Sequence, residues 1–117
     1  MEPTFAQILG TGTTRLASGA TTSTSGLFIP DSVLVAAGLS TPSTATAEGH
    51  LVAIVKAARS YLTQVNFDAN IDQSLVVANG FPSSTTRGTN NDNYRLKQIT
   101  VSLASLDTDT EINPGDY

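Results

Sequence analysis

Cysteine and tryptophan are missing from this 117-residue chain, and histidine occurs once, as His50. Each absence closes off some chemistry. Without cysteine there is no disulfide, no thiolate nucleophile and no thiolate metal centre. A lone histidine has no second His or Cys with which to complete a metal site or a nucleophile pair. Charge is scarce as well. Charged residues make up 14% of the chain, against about 25% in ordinary domains. Only six Lys and Arg are present, scattered against ten Asp and Glu, for a net charge of −4. Phosphate binding needs clustered cations, so nucleic acid is not an expected partner. Long hydrophobic runs are absent too: the longest, 33–37 and 51–55, reach about five residues where a bilayer span needs about 20. No membrane partner is expected. Met1-Glu2-Pro3-Thr4 also lacks the basic start of a secretory leader.

What is present is hydroxyl. Ser and Thr fill 29 of the 117 positions, while 39% of the residues are hydrophobic. A disordered chain would be highly charged and poor in apolar side chains, so this composition describes a folded, weakly charged body. Low net charge leaves little repulsion between neighbouring molecules and favours association. The length fits one domain over residues 1–117. An N-terminal arm (about 1–12) and an extended C-terminal tail (about 105–117) flank it.

The periodicity predicts an α+β fold: an antiparallel β-sheet packed against one principal helix, about 46–62, with a short helix near 32–37. At 100° per residue, Ala47, Leu51, Ile54, Val55, Ala58, Tyr61 and Leu62 share an arc of about 120°. Asp31 reads as the N-cap of the short helix and Gly38 as its stop. Residues 74–81 and 94–103 read as strands, the second alternating Ile99, Val101 and Leu103 with polar neighbours. The polar segment 83–93 then makes a long-looped hairpin of them. In the N-terminal third, Thr-rich 13–18 and 26–29 read as two further strands.

No motif carries catalysis. His50 reads as a satisfied, partly buried side chain; Glu48, about 200° around the helix, is not placed to orient its ring. Asp68-Ala69-Asn70-Ile71-Asp72 opens like a calcium loop but continues with Gln73 and Asn79 where Gly and Glu are required, so turn use is expected. Asp107, Asp109 and Glu111 would line one face of an extended strand, a conceivable weak hard-cation site whose default reading is a solvated tail. Gly10-Thr11-Gly12-Thr13-Thr14 lacks the Lys and third glycine of phosphate loops and reads as a turn. The expected catalytic, cofactor and metal sets are therefore empty.

Three stretches resemble known sequences: Phe5-Ala6-Gln7-Ile8-Leu9-Gly10-Thr11-Gly12; Ala47-Glu48-Gly49-His50-Leu51-Val52-Ala53-Ile54; and Tyr61-Leu62-Thr63-Gln64 running into Phe67-Asp68-Ala69-Asn70-Ile71-Asp72-Gln73-Ser74. They are similar to small uncharacterised proteins of cyanobacteria and their phages. The cysteine-free, Thr/Ser/Gly-rich style resembles virion components such as capsid decoration or cement proteins. That resemblance implies a non-enzymatic structural subunit located in the virion. Its partners would be identical subunits, the major capsid protein or both, in a homo-oligomer or larger assembly. The expected contact residues are Phe5, Ile8 and Leu9 in the arm, Arg87 and Asn91 in the loop, and Tyr117 in the tail. The alternatives are a self-assembling extracellular filament or sheath protein and a small glycan-binding adhesin.

Overall fold

The computed structural model describes residues 2–9, 11–22, 24–106 and 111–117. The fold is α+β: among the described residues, four α-helices precede four strands paired antiparallel in two ladders. Where the sequence reads as one domain, the backbone divides into two compact units, 1–57 and 58–117.

The first unit begins with helix α1 (Phe5–Leu9), inside the segment expected to be an arm. A reciprocal cap specifies it. The Gln7 N–H donates to Thr4 Oγ1, and the Thr4 N–H donates to Gln7 Oε1, the Thr-x-x-Gln box that satisfies two helix-end donors at once. No strand forms at 13–18 or 26–29; both segments are irregular. Threonine favours strands only when a neighbouring strand supplies cross-strand contacts, and no ladder reaches this region.

Helix α2 (Asp31–Ala36) starts one residue earlier than expected, with Pro30 at its N-cap and no side-chain cap. It stops at Gly38, whose φ of +109° suits glycine. There the Leu39 N–H reaches Leu34 O and the Gly38 N–H reaches Val35 O, the paired closure of a Schellman end. A 3-10 turn, Pro42–Thr44, packs against α2, burying Leu34 and Pro42.

Helix α3 (Ala47–Arg59) is the principal helix. Thr46 caps it by accepting from the Gly49 N–H. Its buried residues are Ala47, His50 and Ala53, whereas Leu51 and Val52 are exposed. The covered stripe is thus rotated by roughly 90° from the arc of large aliphatics. Beside this stripe, the position a Gly49 Cβ would take lies 3.4 Å from Leu39 Cδ1, close to ordinary van der Waals contact. The helix ends three residues earlier than expected, where the Tyr61 N–H bonds to Ala58 O and the Thr63 N–H to Tyr61 O, turns tighter than the α-helical one.

In the second unit, Thr63 caps helix α4 (Gln64–Ala69) by accepting from the Asn66 N–H. Asn70 then forms a turn, its Oδ1 accepting from the Asp72 N–H; this is the turn use expected of the calcium-loop mimic. Strand β1 (Leu75–Asn79) pairs antiparallel with β4 (Ile99–Leu103), and β2 (Ser83–Arg87) with β3 (Asp92–Leu96). Helix α4 packs on β1, and Arg59 at the end of α3 donates to Asn79 at the end of β1.

Two expectations for this region change. The polar loop is itself a hairpin, and the long second strand is two strands, broken at Lys97 and Gln98. Asn79 pairs with Ile99 and Ser83 with Leu96, so residues 80–82 face only 97–98. This extra residue is a bulge, and Pro82, which has no N–H to donate, sits within it. Just before it, Gly80 is held by its N–H bond to Gln98 O. A Cβ there would lie 2.8 Å from Gln98 Cβ, so only glycine fits.

Candidate functional site

The densest polar constellation lies in the first unit, around His50. The ring is 5% exposed. Its Nδ1 lies 2.8 Å from Thr46 O and its Nε2 lies 2.6 Å from Arg15 Nη1. A carbonyl oxygen can only accept, so Nδ1 carries the hydrogen. Arg15 can only donate, so Nε2 presents its lone pair. The geometry thus selects the neutral Nδ1–H tautomer. Arg15 Nη2 bonds both oxygens of Asp31 at 2.8 Å, and the Phe5 ring meets the imidazole edge-on at 4.7 Å between centroids. Asp31, Arg15, His50 and Thr46 therefore form one hydrogen-bonded line joining α2, the irregular segment, α3 and its cap.

A general base needs a free ring nitrogen within reach of a substrate proton. Here both nitrogens are engaged and the ring is shielded. The arrangement is a clamp: it fastens the irregular segment to two helices. Sequence reading had found His50 but missed Arg15 and Asp31 as its companions, for they are 35 and 19 positions away and no local pattern links them.

Among the described residues, no group of three or more His, Cys, Asp or Glu is gathered where it could hold a metal ion. Asp107 and Asp109 of the conceivable cation site lie outside the described residues, as does Gly10 of the glycine-rich turn. No helix among the described residues is long and apolar enough to cross a membrane. A shallow apolar groove of about 250 Å³ runs between the closure of α2 and the face of α3, lined by Leu39, Val52 and Ala53 with Lys56 at its edge.

The expected contact residues fall into three places. Phe5, Ile8 and Leu9 share α1; Leu9 is exposed, Ile8 is half-buried and Phe5 is engaged against His50. Arg87 and Asn91 flank one hairpin tip. There Asn91 adopts φ +53° and Arg87 lies over the Tyr94 ring at 5.6 Å. Tyr117 follows the closing 3-10 turn, Pro114–Asp116, and is exposed.

The larger feature is apolar and open. Among the described residues the buried apolar side chains are Leu34, Pro42, Ala47, Ala53 and Val77, and none of the described side chains is fully enclosed. Meanwhile Leu27 is 89% exposed, Phe28 73%, Ile71 98% and Phe81 89%.

Comparison of the chain with protein-family models, curated proteins and solved structures gives no match.

Proposed function

We propose that this chain is a non-enzymatic structural subunit of a repetitive assembly, and that the assembly is a bacteriophage virion whose shell it decorates or cements. The observation that carries the reading is the exposed apolar set. Side chains such as Leu27, Phe28, Ile71 and Phe81 each remove roughly 1.5–3 kcal/mol of unfavourable hydration when fully covered, and in the isolated chain they stay wet. An assembly supplies the missing cover, and repeated weak contacts add through avidity.

Two further features support the reading. The one histidine is fully engaged in holding backbone segments together. The low charge of the chain allows identical surfaces to approach without strong repulsion. The choice of a virion among assemblies rests on the resemblance of the cysteine-free, Thr/Ser/Gly-rich composition to that of virion decoration proteins.

The test is copy number. Particles banded on a density gradient from the native source are probed with an antibody to this chain. Many copies per particle, co-banding with the shell, is the expected result. Recovery of the chain only in the unassembled fractions would overturn the virion assignment. Turnover of a small molecule by the purified chain would overturn the non-enzymatic one.

A further inference from the structure

The two edges of the β1–β4 ladder are treated differently. The Ala104 N–H donates to Ser74 O and the Gly80 N–H to Gln98 O, which places residues 74, 76, 78 and 80 inward against 104, 102, 100 and 98. In an antiparallel ladder, bonded and non-bonded pairs alternate. The odd residues of both strands therefore aim their N–H and C=O groups outward. On β1 that outer edge is occupied: Val77 N–H donates to Leu62 O, and Leu75 O accepts from Gln73 Nε2. On β4 the outward groups belong to Ile99, Val101 and Leu103. All three are exposed, and beyond β1 no described helix or strand packs extensively on β4.

Natural free edges are guarded by charge, proline or bulges. Strand β4, Ile-Thr-Val-Ser-Leu, has none of these within it. By contrast, Asp92 and Arg95 on β3 and Arg87 on β2 guard the neighbouring ladder.

We infer that the outer edge of β4 is a docking edge for β4 of a second copy, paired antiparallel about a two-fold axis through Val101. Self-complementarity selects this occupant. Centred on Val101, the register sets Ile99 against the second copy's Leu103, Val101 against Val101, and Leu103 against Ile99. Every outward N–H and C=O of the three residues then finds a partner, six hydrogen bonds in all, because each bonded antiparallel pair exchanges two. The same face matches aliphatic with aliphatic, and the other face sets Thr100 beside Ser102, pairings that favour a sheet. An isologous contact of this kind closes on itself instead of propagating. It therefore favours a discrete dimeric building block over an open filament, and it deepens the assembly reading without depending on a virion.

The experiment follows amide exchange by NMR as concentration rises, with sedimentation equilibrium on the same samples. The Thr100 and Ser102 amides should be protected throughout, since they belong to the β1 ladder. The Ile99, Val101 and Leu103 amides should exchange fast when dilute and at least about tenfold slower where the dimer predominates. Val101→Pro removes an outward donor and leaves the β1 bonds intact, and it should abolish the dimer. Val101→Cys, the only thiol in the chain, should oxidise to a covalent homodimer, since directly opposed Cα atoms about 5.5 Å apart accept a disulfide. A chain that stays monomeric to about 1 mM overturns the inference, as does a dimer whose three odd amides exchange as in the monomer. Either result leaves the copy-number test of the virion assignment unaffected.

Discussion

Removing Arg15 tests the reading of His50 as a clamp. In Arg15→Ala, His50 Nε2 loses its 2.6 Å donor while the ring stays 5% exposed. A buried acceptor left without a partner costs about 1–3 kcal/mol. The Asp31 side of the pair contributes less. Asp31 is 54% exposed, and one guanidinium nitrogen bridges both carboxylate oxygens in place of two parallel bonds; solvent-exposed pairs of this sort are worth about 0–1 kcal/mol. Arg15→Ala should therefore destabilise the first unit by about 2–3 kcal/mol, and Asp31→Asn by less than about 1 kcal/mol. Urea titration followed by amide NMR in the first unit measures both. Imidazole ¹⁵N shifts supply an independent readout, and wild-type His50 should show the Nδ1–H tautomer. Equal costs for the two variants, or an Nε2–H tautomer, would refute the argument, because either means that Arg15 does not donate to the ring.

Three other perturbations follow from particular contacts. Gly80→Ala places a methyl 2.8 Å from Gln98 Cβ and should lower the stability of the second unit by about 1–3 kcal/mol, as overpacking does, read by thermal melts. Gln73→Ala removes the Nε2 bonds to Thr63 O and Leu75 O at about 1 kcal/mol each. Part of that loss is offset because Gln73 Oε1 is buried without a partner, so about 1–2 kcal/mol is expected in denaturant titration. Phe81→Ser, at a position 89% exposed, should change stability by less than about 0.5 kcal/mol. It should nevertheless reduce concentration-dependent light scattering; unchanged scattering would count against an adhesive role for this side chain.

The elements legible in the sequence are those with sustained apolar patterning. Helix α3 has its apolar periodicity, β1 lies inside the strand expected at 74–81, and the alternating later half of the single strand expected at 94–103 is β4. What was missed had one signal or a misleading one. Helix α1 announced itself only through the Thr4-Phe5-Ala6-Gln7 box, too brief to show a period. The strands expected at 13–18 and 26–29 rested on threonine propensity, which has no force without a partner strand.

The break between β3 and β4 was visible in retrospect. Tyr94 and Leu96 are out of phase with Ile99, Val101 and Leu103, and one regular strand cannot hold both sets on a single face. The covered stripe of α3 is Ala47, His50 and Ala53, of which the apolar arc includes only Ala47, because large aliphatic size does not by itself mark the covered side. The clamp was illegible for a different reason: Arg15, Asp31 and His50 meet only through the fold.

Radical footprinting of Leu27, Phe28, Ile71 and Phe81, on the isolated chain and on native particles, addresses the central claim most directly. The account predicts strong labelling of all four side chains in the dilute chain and loss of labelling at most of them once the chain is assembled. Equal labelling in the two states would mean that this surface is never covered, and the reading of the chain as an assembly subunit would not stand.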